Sequence, residues 1–113
     1  MGTPGGYRSP SMSEPAVIAP EGELDLHAAR ALAPELNEAA GADYDHLILD
    51  LSSVSLVDST ALGAILQAQH RFDRRGRRLS LVVPNGSAAA VLLDLSGLRG
   101  RFSVYPSRDA ARE

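Results

Sequence analysis

Five residues near the middle of the chain, Leu47-Ile48-Leu49-Asp50-Leu51, constrain the fold more than any other stretch. The run is too short for a helix and does not alternate as a strand with one wet face does, so it reads as a strand covered on both faces. Such a strand belongs in a largely parallel sheet whose crossovers carry helices. The flanking pattern agrees. Residues 16–19, 79–83 and 102–105 are further short apolar strand candidates, with helical periodicity between them. The expected architecture is α/β, with a small, mostly parallel sheet and helices packed against it.

Cap chemistry places the helices. Asp25 is an N-cap for a helix whose Ala29, Leu32, Leu36 and Ala40 share one face and whose stop is Gly41. Pro34 falls inside that pattern and argues for a later start, because it removes a backbone bond. Before it, Pro20-Glu21-Gly22-Glu23 reads as a turn or an edge. Asp58-Ser59-Thr60 stands directly before Leu62, Ile65, Leu66, Gln69 and Phe72, an amphipathic spacing, so a helix starts at or beside Ser59. Ser87 caps a third helix, with Val91, Leu92 and Leu95 as its apolar residues and Gly97 as its stop. Residues 107–112 form a terminal helical turn.

With 113 residues, 44% hydrophobic and 4% aromatic, the chain buries one modest aliphatic core. A Gly/Pro/Ser-rich start sets off residues 1–15 as a flexible tail, leaving one domain over 16–113. The lack of cysteine suits a reducing compartment, with cytoplasm as the default. No apolar run approaches the ~20 residues of a membrane span, so no membrane association is expected. A net charge of −3 gives no reason to bind nucleic acid directly. Arg71, Arg74, Arg75, Arg77 and Arg78, around Gly76, read as a solvated helix end whose cations favour the negative end of the dipole.

Catalytic chemistry has few candidates. His27, His46 and His70 lie in polar contexts without metal-ligand spacing and read as surface histidines. Ser59 is not in a G-x-S-x-G elbow, and no P-loop or dinucleotide fingerprint is present. The sequence therefore predicts no enzyme, no metal and no cofactor. What remains is Asp58-Ser59-Thr60, which the capping of a helix start explains by itself.

Four separated segments add to this. Glu21-Gly22-Glu23-Leu24-Asp25, Leu47-Ile48-Leu49-Asp50-Leu51, Val57-Asp58-Ser59-Thr60-Ala61-Leu62-Gly63 and Leu93-Asp94-Leu95-Ser96-Gly97-Leu98 resemble, in order, the landmarks of the STAS-domain anti-sigma factor antagonist family. The resemblance spans roughly 16–112 and implies a single STAS-like domain. It also implies that Ser59 is the phosphorylated residue. The unphosphorylated chain would bind an anti-sigma factor that is a GHKL-type serine kinase, freeing a sigma factor for transcription. A PPM-type serine phosphatase would reverse the modification. The implied partner surface is Glu23, Asp25, Asp58, Ser59, Thr60, Ala61 and Leu62. Ala61 stands where members commonly have glycine, which would make the loop slightly less permissive. Little sequence lies between the Gly/Pro/Ser-rich tail and Glu21, so the family's leading edge strand is expected to be absent or irregular, and an unpaired edge there favours a homodimer. Two other readings remain: a STAS scaffold in a signalling assembly or transport system without sigma-factor control, and a small hydrolase using Ser59 that needs a histidine within reach.

Overall fold

The computed structural model describes residues 15–41 and 45–112. The flexible tail expected over 1–15 lies, Pro15 apart, outside the described residues. The chain runs β1 (Ala16–Ile18), β2 (Gly22–Leu24), α1 (Leu26–Gly41), β3 (His46–Asp50), β4 (Val54–Val57) and α2 (Ser59–Arg74). It continues through β5 (Arg78–Val82), α3 (Ala88–Ser96), a 3-10 turn (Arg99–Arg101), β6 (Ser103–Tyr105) and α4 (Arg108–Arg112). Four strands form one sheet in the order β1-β3-β5-β6, every neighbouring pair parallel. β2 and β4 form a separate parallel pair, so Gly22–Leu24, expected as turn or edge, is a strand.

One device starts all four described α-helices. Asp25, Asp58, Ser87 and Ser107 each accept the N–H of an alanine three residues on: Ala28 at 3.0 Å, Ala61 at 2.9 Å, Ala90 at 3.3 Å and Ala110 at 3.2 Å. Each bond satisfies a donor that a helix start leaves unpaired and typically contributes ~1 kcal/mol. Pro34 does not delay α1, which begins at Leu26. Arg30 and Pro34 are both exposed, so the carbonyl that loses its partner lies on the wet side.

The sheet is buried unequally on its two faces. Leu47 and Leu49 of β3 with Leu79 and Leu81 of β5 meet the inner faces of α1, α2 and α3 in the main core. On the other face Ile48 and Val82 lie under Ala111 of α4, flanked by Val17 and Tyr105. β3 is thus covered on both sides, as its composition requires. Asp50 can sit in this run because Ser52 and Arg108 both reach its carboxylate. Arg108 is 46% exposed, so its ion pair contributes on the surface scale of about 0–1 kcal/mol. Burial of Ala111 supplies the rest of the docking.

Three expectations need correction. β1 is present as the edge strand, with Ala16, Val17 and Ile18 in register with Leu47, Ile48 and Leu49. Glu35 and Glu38 line the cleft beside it, and carboxylates next to a strand edge oppose pairing with a like copy. In α3, Ala89, Ala90 and Leu93 face the core, whereas Val91 is 52% and Leu95 81% exposed. Nearly every residue of that helix is apolar, so spacing does not select a face. Finally, His46 is half-buried, with Nε2 2.8 Å from Ser80 Oγ. The arginine cluster has a wider role than expected: Arg75 and Arg77 both donate to the Ala40 carbonyl, at 3.1 and 3.0 Å, and so serve the end of α1 as well as their own helix.

His46 makes stability depend on pH. Burial, and secondarily the Arg78 charge, hold its pKa below the ordinary 6.5. Above pH 6.5 the imidazole is neutral in folded and unfolded chains and its contribution is complete. Below that, the unfolded chain takes up a proton the fold refuses, and stability falls until His46 protonates in the fold too. Asp50 acts with the same sign at lower pH: burial raises its pKa, but the Ser52 and Arg108 hydrogen bonds and the Arg108 charge outweigh it and hold the carboxyl below its ordinary value. The urea midpoint is expected to fall between about pH 7.5 and about pH 5.5, and less so in His46→Gln, which keeps a hydrogen-bonding group for Ser80. Equal slopes in the two proteins would assign the loss to other groups.

Candidate functional site

The β2-β4 pair brings two helix starts together. Leu24 is in register with Val57, and the Asp58 N–H donates to the Leu24 carbonyl at 3.2 Å. Each strand then leads through an aspartate into a helix: Asp25 into α1 and Asp58 into α2. Asp58 is extended at φ −100 and ψ 172, its carboxylate accepts from Ala61, and its carbonyl accepts from the Leu62 N–H at 3.1 Å.

Helical geometry decides which residues of this turn meet solvent. Ser59 and Thr60, the first two residues of α2, are exposed. Ala61 and Leu62, one step further round, are 1% and 4% exposed and pack in the core, so they do not belong to the contact surface in which the sequence placed them. Glu23 is exposed at the end of β2 and Asp25 is half-buried beside it. The site therefore unites Glu23, Asp25, Asp58, Ser59 and Thr60. Ala61 does not stiffen a loop, because it lies in the first helical turn, where alanine is the favoured residue.

Capping by itself does not single out this site, since three other helices begin with the same bond. The difference lies in the next two residues. They are Leu26 and His27 in α1, Ala88 and Ala89 in α3, and Arg108 and Asp109 in α4. Among the described helices only α2 presents hydroxyls there. The positive end of the α2 dipole lies under Ser59, favouring added negative charge by about 0.3–1 kcal/mol, while the carboxylates of Glu23, Asp25 and Asp58 oppose it. Negative charge added at this turn would meet both the favourable end of the dipole and these like charges.

Among the described residues, no hydrogen bond joins Ser59 to a histidine. The Ser–His hydrogen bond at His46 involves Ser80, which is 1% exposed and closed to a substrate. Among the described residues no group of three His, Cys, Asp or Glu could hold a metal ion, and no helix is long and apolar enough to cross a membrane.

A family model described as STAS domain matches residues 9–111. The chain belongs to the STAS domain family. Relatives agree on the type of STAS protein. The anti-sigma F factor antagonist of Paenibacillus polymyxa is 29% identical over 94 residues, covering 82% of this chain and 77% of that protein. The crystal structure of an anti-sigma factor antagonist from Mycobacterium paratuberculosis is 26% identical, with a TM-score of 0.75 over 84% of this chain and 80% of that one. The phosphorylated form of the Bacillus cell fate determinant SpoIIAA shares the fold at 23% identity, with a TM-score of 0.60 over 83% of this chain and 85% of that one.

One feature of this STAS domain escapes a reading by motif. Beside the Asp58 turn, a largely apolar groove of about 340 Å³ runs between β4 and α3, lined by Ser55, Leu56, Val57, Val91, Leu92 and Leu95. Val91 and Leu95, expected among the apolar residues that pack α3, are left to solvent along this groove.

The two roles of Asp58 separate by substitution. Asp58→Ala is expected to lower unfolding free energy by about 1 kcal/mol in urea titrations, while Asp58→Asn, which keeps a capping oxygen, stays within a few tenths of wild type. Equal losses would place the contribution in charge and not in the cap.

Proposed function

We propose that this chain is an anti-sigma factor antagonist switched by phosphorylation of Ser59. The carrying observation is the exposed Ser59 hydroxyl at the first position of α2, directly after the Asp58 cap. Family membership and the anti-sigma factor antagonists among the relatives support the role. A relative of the same fold, SpoIIAA, is known in a phosphorylated form. In this reading the unphosphorylated chain binds an anti-sigma factor that is a GHKL-type serine kinase, in the cytoplasm, and thereby frees the sigma factor.

The kinase supplies the nucleotide and the metal, and this chain supplies the acceptor. Ser59 Oγ forms a bond to the γ-phosphorus as the bond to the ADP oxygen breaks, and the hydroxyl proton leaves to a base. The product carries about −1.5 to −2 extra charge at a surface already bearing three carboxylates. A partner surface fitted to the neutral hydroxyl meets repulsion and unpaired desolvation, and lets go. A PPM-type serine phosphatase restores the binding form.

Gly63 fits this reading. It is exposed inside α2, one turn beyond Ser59, and a Cβ added there meets nothing within 4 Å. Glycine in a helix interior costs about 0.8–1.0 kcal/mol relative to alanine, and nothing in the chain's own packing requires it. The gap keeps space beside Ser59 for close approach of another molecule.

The test is labelling by the GHKL-type serine kinases of the source organism with ATP, with the phosphate located by mass spectrometry. Phosphate on Ser59 is expected, with Ser59→Ala unlabelled and bound constitutively, and Ser59→Glu bound weakly. Wild-type labelling of Ser59→Ala would sink the assignment, and phosphate on Thr60 alone would move it by one residue. Gly63→Ala is expected to raise the urea midpoint while slowing the labelling of Ser59; faster or unchanged labelling would show that the gap serves no approach.

A further inference from the structure

We infer that the groove between α3 and β4 is a second docking surface for the serine kinase that acts on Ser59, an apolar anchor that holds the kinase independently of the phosphorylated hydroxyl. The inference rests on the switch reading and adds to it the place and chemistry of a contact.

Exposure marks the groove as unfinished surface. Leu56 is 46%, Val91 52% and Leu95 81% exposed, and these are three of the four large hydrophobic residues left open on the molecule's described surface. Ala88, Val91, Leu92 and Leu95 recur at helical spacing along one side of α3, and Leu56 and Val57 of β4 form the opposite wall. The exposed ion pair nearby, Arg99 to Asp94 at 2.9 Å, is compensated within the chain and leaves no net charge at that position. What fits the groove is a ridge of aliphatic side chains.

Its position identifies the occupant. Val57 lines the groove and precedes Asp58, and Leu56 is three residues from Ser59, so their Cα atoms are at most ~11 Å apart. A stable protein contact of ordinary size covers about 800 Å² on each partner, a disc roughly 16 Å in radius. A kinase seated on Ser59 with a footprint of that size reaches the groove. A second copy of this chain is a poorer occupant: three partly exposed aliphatic side chains fall well short of the area that a stable dimer buries.

The geometry divides the labour. Ser59 carries the charge that ends binding, and the groove carries affinity that phosphorylation does not alter. Weakening the groove should therefore raise the KM for labelling and leave kcat in place, whereas changes at Ser59 abolish the reaction.

The experiment uses the full chain and the purified GHKL-type kinase that labels Ser59 in wild type. Affinity is measured on the Ser59→Ala background, and labelling kinetics on wild-type Ser59. Leu95→Gln, alone and with Val91→Thr, is expected to weaken kinase binding at least tenfold and to raise KM by a similar factor at unchanged kcat. Urea midpoints check that these exposed positions leave the fold intact, and Leu95→Ala carries the same test with a smaller fall if Gln proves destabilising. If wild type is labelled at Ser59 and the groove variants bind and react as wild type does, the anchor is refuted while the switch stands. If no such kinase labels Ser59, the switch reading fails and the anchor with it. If sedimentation shows a wild-type dimer that Leu95→Gln dissociates, the groove belongs to a second copy and the inference is overturned.

Discussion

The side chains of β3 are apolar on both faces and cannot be left to water on either, and the rest of the molecule is arranged around that demand. Leu47, Ile48 and Leu49 are all 0% exposed. Antiparallel hairpins leave one face wet, whereas a parallel strand buried on both faces needs crossovers that fold back over it. Four of the described strands, β2, β4, β5 and β6, therefore hand over to helices, and a capping residue marks each of those handovers. The turn at Asp58 and Ser59 is one of those handovers, positioned by the same requirement that buries the core.

Much of this was legible because it rests on local rules. The short apolar runs, the aspartate and serine caps and the amphipathic spacing of α2 placed β1, β3, β5, β6 and the four helix starts to within a residue or two. The departures have physical causes. Gly22–Leu24 is three residues long and mostly exposed, so it carries no strand pattern, and only its partner β4 makes it one. In α3 an almost wholly apolar sequence gives no periodic contrast, and the small Ala89 and Ala90 take the inner side. His46 looked like a surface residue until Ser80, 34 positions away, supplied its partner. At the candidate site, Ser59 and Thr60 fell where expected, but a motif is read as a string and a helix turns about 100° per residue. Ala61 and Leu62 belong to the motif because they anchor it, and their contribution is to the core.

The polar turn at Ser59 and its apolar neighbour have different physics. Charge at a helix start acts over a short distance and is weakened by salt, since the Debye length is ≈ 8 Å at physiological ionic strength. Apolar contact is almost insensitive to either salt or phosphate. A surface that combines the two can change its affinity by modification and still keep specificity, because what is switched and what is recognised lie on different side chains. The β4 strand connects them, with Leu56 and Val57 on the apolar side and Asp58 at the turn.

The cover over the second face of the sheet has a consequence for biosynthesis. Arg108 follows Asp50 by 58 residues, and Ala111, which covers Ile48 and Val82, comes later still. A chain emerging from the ribosome thus completes β3 and β5 well before anything is available to shield that side. During this interval the nascent sheet presents a bare aliphatic strip to the cell. Docking of α4, with Ala111 over Ile48 and Val82 and Arg108 on Asp50, then closes the period in which the half-made protein is most open to chaperones and to aggregation.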